Sequence, residues 1–200
     1  MSLTNTIWFA SGNVHKKMEV QEIFKQHVIK IPLEIDVDFK PIEDGATFID
    51  NALIKARALY GLLHEPCLAD DSGLCVDALE GRPGIYSSRY GGCVSDKERN
   101  GLLLQEMAGQ TNRRARFVCA FVLMLDPNRF TVVQETLEGE ITESLRGSGG
   151  FGYDPIFYLP DFSCTLAELS AAEKNKLSHR GKAAASIAKL LEPSCPASLQ

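Results

Sequence analysis

The sequence predicts an α/β fold whose sheet is not purely parallel, on three observations. Short runs rich in β-branched and aromatic residues alternate with stretches of helical periodicity. Two long strand-like runs, "ARFVCAFVLMLD" and "RFTVVQETLEGEI", flank a Pro-Asn turn and read as an antiparallel hairpin. No internal repeat, low-complexity tract or linker divides the 200 residues, so one domain, 1–200, is expected, with a flexible tail over its last few residues.

Taken in order, "TNTIWFAS" reads as a short buried strand and "VHKKMEVQEIFKQH" as the helix after it, with Val14, Met18, Ile23 and Phe24 on one side. A second strand is expected over "IKIPLEIDV", then a loop over "KPIEDG". Thr47 is placed to cap a helix running to about Leu63, with a stripe of Phe48, Ala52, Leu53, Ala56, Leu59 and Leu63. "CLAD" reads as a short strand running into a glycine- and proline-broken working loop, "DSGLCVDALEGRPGIYSSRYGG". Ser95 with Glu98 makes a capping box for "DKERNGLLLQEMA". After the hairpin come the glycine-rich "GSGGFGYDPIFYLP", a helix over "TLAELSAAEKNKLS" and a last helix over "HRGKAAASIAKLLE".

Composition narrows the functional classes. With 44% hydrophobic and 24% charged residues, neither disorder nor a membrane protein is indicated. The longest apolar run, "FVCAFVLML", is about half the length a spanning helix needs. The N-terminus lacks the basic and apolar regions of a secretion signal, so a cytoplasmic location and no membrane partner are expected. Six scattered cysteines, with no Cys-x-x-Cys pair, fit free thiols in a reducing compartment. A net charge of −5 argues against binding polymeric nucleic acid and leaves small anions open.

Four segments carry candidate chemistry. In "SGNVHK", residues Ser11, Gly12 and Asn13 sit at a strand-to-helix turn, with Lys16 on the first helical turn. Backbone amides, helix dipole and ammonium together favour a phosphate, while an ordinary cap with solvated lysines is the plain alternative. In "LADDSGL", adjacent Asp70 and Asp71, joined by Glu43 from "IEDG", offer hard oxygen ligands for Mg2+. Two carboxylates that merely polarise a turn are the other reading. Arg82, Tyr86, Arg89 and Tyr90 form a third group, suited either to steering phosphate or to holding their own loop by ion pairs. "LSHRGKA" places His179 and Arg180 at a helix boundary, after Lys174, as a site or as a surface pair.

Taken together, "SGNVHKKME", "EDGATFIDNALIKA", "ADDSGLCVDALEGRPGIYSSRY", "ARF", "GSGGFGYDPIF" and "AELSAAEKNKLSHRGKA" resemble, in order and over nearly the entire chain, the inosine triphosphate pyrophosphatase, or Ham1-like, family. Ser11 stands where many members have threonine, which keeps the hydroxyl. The resemblance implies an elongated mixed sheet flanked by helices, in two lobes with a substrate cleft between them, and a homodimer. It also implies Mg2+-dependent conversion of ITP, dITP or XTP to the monophosphate and pyrophosphate. Carried over by position, Ser11, Gly12, Asn13, Val14, His15 and Lys16 hold the phosphates. Asp71 is base and metal ligand, Glu43 and Asp70 support the metal, and Ser72 contacts substrate. Phe151, Gly152, Tyr153, Asp154, Lys174, His179 and Arg180 form the nucleoside side, with Phe151 as a stacking face and Tyr153 and Asp154 at the rim. Phosphatase chemistry on Asp70 and Asp71, releasing orthophosphate, and a silent nucleotide-binding protein are the competing readings.

Overall fold

In the computed structural model, which describes residues 5–191, one seven-stranded mixed sheet carries the fold. Its strands are β1 (Thr6–Phe9), β2 (Val28–Lys30), β3 (Cys67–Val76), β4 (Arg114–Asp126), β5 (Arg129–Ile141), β6 (Phe157–Leu159) and β7 (Cys164–Thr165), in the spatial order β2-β1-β3-β4-β5-β6-β7. β1 lies parallel to β2 and β3, and every later pair is antiparallel. Helices α1 (Val14–Ile23), α2 (Phe48–Leu63), α3 (Asp96–Glu106), α4 (Ala171–Leu177) and α5 (His179–Leu191) complete it.

Strand alternation sorts the core. Leu68, Cys119 and Phe121 face α1 and α5, packing with Val20, Phe24, Ala183, Ala184 and Ile187. Their neighbours Cys67, Ala69, Val118 and Ala120 face α2, packing on Ala52, Ala56 and Leu59. A third cluster at the far end joins Leu74, Val76, Phe117 and Ile141 to Leu103 and Met107.

The hairpin forms around Pro127 and Asn128, with Asp126 opposite Arg129. Thr47 and Ser95 cap α2 and α3, and in both the third helical residue, Asp50 and Glu98, returns a carboxylate to the cap. Elsewhere the sequence reading needs correction. The second strand ends at Lys30, because Pro32 has no N–H for the ladder and opens a short 3-10 turn, Pro32–Ile35. α1 buries Val20 and Phe24, whereas Val14 and Met18 are exposed. β3 does not break at Asp71; β4 pairs with it from Cys67 to Val76, so the acidic pair lies in a strand and not at a turn. Residues 165–169 form the end of β7 and a 3-10 turn, and α4 starts only after Ser170, whose hydroxyl caps it.

The five cysteines among the described residues, Cys67, Cys75, Cys93, Cys119 and Cys164, are free. No helix among these residues is long and apolar enough to cross a membrane. The expected tail and Cys195 lie outside the described residues.

Candidate active site

The turn from β1 to α1 is set by its own side chains. Asn13 caps the helix, its Oδ1 accepting from the Lys16 amide at 3.1 Å, and Ser11 Oγ accepts from the Asn13 amide at 3.1 Å. Lys16 then projects across to β3, where its ammonium donates to both oxygens of Asp70 at 3.1 and 2.9 Å.

Alternation along β3 sends the adjacent carboxylates to opposite faces of the sheet. Asp70 turns toward α1 and α5, where it meets Lys16, Arg180 Nε at 3.2 Å and Ser72 Oγ at 3.3 Å. Burial alone would raise the Asp70 carboxyl, but the Lys16, Arg180 and Lys55 charges outweigh it and hold the group well below the ordinary carboxylate range. Asp71 turns toward α2, where Lys55 Nζ donates to its Oδ1 at 2.9 Å and Asn51 Nδ2 to its Oδ2 at 3.3 Å. Burial raises Asp71 above its usual value, with Lys55 opposing. The same ammonium reaches Glu43 Oε2 at 2.9 Å, so Glu43 and Asp71 share one cation. Burial would lower Lys55, yet Asp71, Asp70 and Glu43 together raise it, so it is charged at neutral pH.

At the other end, Asp154 Oδ2 accepts from the Phe151 amide at 2.8 Å and from Lys174 Nζ at 2.7 Å. Gly150 has φ of +69°, and a Cβ there would stand 2.1 Å from Asp154 Oδ2, which is why that turn takes glycine. Glu19 on α1 grips both Lys174, at 2.8 Å, and Arg180. Phe151 meets the His15 ring at 5.6 Å and carries Lys174 Nζ 4.4 Å from its centroid. His179 is buried and stacked on Phe117 at 4.7 Å, and its Nδ1 has no hydrogen-bond partner among the described residues. Burial, then the Arg180 and Lys174 charges, push His179 well below its usual value, so the ring is neutral.

These groups, Asn51, Glu19 and His15 apart, line one cavity of about 430 Å³. Of the residues picked from sequence, Ser11, Gly12, Asn13, Lys16, Glu43, Asp70, Asp71, Ser72, Phe151, Gly152, Tyr153, Asp154, Lys174, His179 and Arg180 all face it, whereas Val14 and His15 do not. Tyr153 and Asp154 are buried walls and not a rim; the Tyr153 hydroxyl donates to the Ser87 carbonyl at 3.0 Å. His179 and Arg180 are buried too, which excludes a surface pair. Arg82 and Arg89 stay outside, Arg82 on Tyr90 and Glu106 and Arg89 over Tyr86, so they hold their own loop. The three expected metal carboxylates do not gather, and among the described residues no group of three His, Cys, Asp or Glu side chains is placed to hold a metal.

Lys55, Asn51 and Glu19 escaped the sequence reading. Asn51 and Lys55 are one helical turn apart on the buried side of α2, beside Ala52, Ala56 and Leu59. Two polar residues in an otherwise apolar stripe were the signal that would have found them.

A mixed sheet with a capped helix start, a buried carboxylate pair and a neutral buried histidine around one cavity defines an α/β protein with a polar, ligand-sized cleft. The chain belongs to the Ham1 family, whose profile matches residues 7–190. It is 52% identical over 192 residues to the dITP/XTP pyrophosphatase of Treponema denticola, covering 94% of this chain and 99% of that protein. It is 44% identical to the dITP/XTP pyrophosphatase of Geobacillus kaustophilus, covering 88% and 89%. Among solved structures, the Staphylococcus aureus Ham1 protein superposes with a TM-score of 0.85 at 40% identity, covering 94% of this chain and 98% of that one. A HAM1 protein from Coxiella burnetii gives 0.84 at 42%, covering 93% and 98%.

Proposed function

We propose that this protein hydrolyses deaminated purine nucleoside triphosphates, dITP, ITP and XTP, to the monophosphate and pyrophosphate, clearing them from the cytoplasmic nucleotide pool. The names of its relatives support the reaction. The observation that carries the reading is that one cavity holds the β1–α1 turn, Asp71 and the neutral, buried His179 ring.

Ser11, Gly12, Asn13 and Lys16 receive the phosphates, with the Val14 and His15 backbones completing the helix start. Asp71, its carboxyl raised by burial, accepts the proton of the attacking water. Mg2+ fits the donor set: Glu43 and Asp71 present hard carboxylate oxygens already drawn to one cation. Six cationic and five acidic side chains line the cavity, a surplus of one, far short of a triphosphate's charge. When bound, Mg2+ supplies the missing positive charge. Asp70, held by Lys16 and Arg180, keeps those cations in place, and this full engagement disfavours the phosphatase reading, which needs it as a nucleophile.

Lys174 and Arg180 each hold two carboxylates, so they build the wall of the nucleoside side. His179 lines this side as a neutral ring, and a ring N–H turned to the base rewards a six-oxo purine. Adenine's amino group would leave it unpaired, a penalty of about 1–3 kcal/mol. The family likeness also brings a homodimer, which equilibrium sedimentation checks by mass.

The test is to incubate the protein with XTP, dITP, ITP, ATP and GTP, with Mg2+ or with EDTA, and identify the products. Pyrophosphate from the first three, lost with EDTA, is expected. Orthophosphate instead, or equal rates on ATP and XTP, overturns the reading.

A further inference from the structure

The start of α3 grips the glycine-rich loop, with Asp96 and Arg99 at the wall of the cavity. Asp96 Oδ2 accepts from the Gly152 amide at 2.7 Å, and Asn100 Nδ2 donates to the Gly152 carbonyl at 2.9 Å. Both polar groups of one residue, held at φ +65°, are thereby tied to one helix, since positions 96 and 100 share a face. Arg99 completes the device: it pairs with the other oxygen of Asp96 and donates to the Cys93 carbonyl at 3.0 Å, which fixes the carboxylate's direction. The adjacent Phe151 amide is held by Asp154. The backbone on both sides of Phe151 is therefore pinned, which fixes the point from which its ring reaches His15, Lys174 and Arg180.

Asn100 supplies the second, independent observation. It is 2% exposed, and its Oδ1 has no hydrogen-bond partner among the described residues. An unpaired buried oxygen costs stability, so the amide is kept there against that cost. What the amide contributes is its bond to Gly152.

We infer that Asp96 and Asn100 are positioning residues for nucleobase selection, setting through Gly152 the place of the Phe151 ring against the purine. This rests on the reading that the Phe151 segment receives the base. Neither residue touches the reacting phosphates, so substrate affinity and base discrimination change while the chemical step does not.

The experiment compares Asp96→Ala, Asp96→Asn, Asn100→Leu and Phe151→Ala for steady-state kinetics on XTP and GTP, with melting temperature as a control. Asp96→Ala and Asn100→Leu are expected to raise KM for XTP about tenfold, with kcat within about twofold and a narrower preference for XTP over GTP. Asp96→Asn keeps an oxygen acceptor and restores KM. Asn100→Leu removes the unpaired oxygen and also the donor to the Gly152 carbonyl, so its melting temperature serves only to show that the variant is folded when KM is read. Wild-type KM in Asp96→Ala and Asn100→Leu, alongside a raised KM in Phe151→Ala, overturns the inference. So does a defect in Asp96→Asn equal to that in Asp96→Ala. Unaltered KM in Phe151→Ala instead overturns the stacking reading itself.

Discussion

Asp71 and His179 are both buried, and burial acts on them in opposite senses: it favours the protonated, neutral carboxyl in one and the deprotonated, neutral ring in the other. Asp71→Asn keeps the shape and removes the proposed base, so turnover is expected to fall about a hundredfold or more with the melting profile unchanged. Near-normal turnover in a well-folded variant refutes that role. His179 makes a prediction about stability. In the unfolded chain its value is the ordinary 6.5, and in the fold it lies well below. As pH falls below 6.5 the unfolded chain takes up a proton that the folded ring refuses, so the stability this residue contributes is present above that value and lost beneath it. His179→Gln abolishes the linkage. The drop in melting temperature between about pH 7.5 and about pH 5.5 should be smaller in the variant than in the parent, and equal drops would show that the ring titrates normally.

Among the elements, those with local signatures were readable: Thr47 with Asp50 and Ser95 with Glu98 declare their helices, and the Pro-Asn turn declares the hairpin. β3 was readable only as far as Asp70. Beyond it, Asp71, Ser72 and Gly73 look like a turn, and what makes them a strand is the ladder offered by β4, about fifty residues away in sequence. The same distance hid the partners. Arg180 meets Asp70 across 110 positions, which no local pattern encodes. Residues that line the cavity were legible as motifs; how they pair, and that the two aspartates face opposite ways, was not. Gly73 tests the packing of this strand. A Cβ there would stand 2.3 Å from the Gly84 carbonyl oxygen, 2.5 Å from Ser87 Oγ and 2.9 Å from Phe48. Backbone cannot step aside cheaply, so Gly73→Ala is expected to destabilise by about 1–3 kcal/mol in denaturant melts. An unchanged midpoint would mean that the loop after β3 is looser than described.

β4 and β5, thirteen residues each, run through all three core clusters and tie the parallel and antiparallel halves into one sheet. Trp8, the single tryptophan, packs in the α2-facing cluster with its indole N–H on Glu65, so it reports on the parallel side. Its fluorescence and far-UV circular dichroism are expected to melt in coincident transitions, because neither half can leave without breaking the shared strands. Separate midpoints would show that the halves unfold independently. The same continuity gives the bond from Lys55 to Glu43 and Asp71 a further meaning. A tethered ammonium waits between the two carboxylates at an effective concentration that a dissolved monovalent ion does not match. Entry of the proposed cation there would be ion exchange and not the filling of a hole: the incoming ion would have to outcompete a lysine that cannot diffuse away. Sodium and potassium bring no more charge than the lysine already supplies, and a doubly charged ion does, so a metal bound at the proposed site would be selected by valence before any nucleotide arrives.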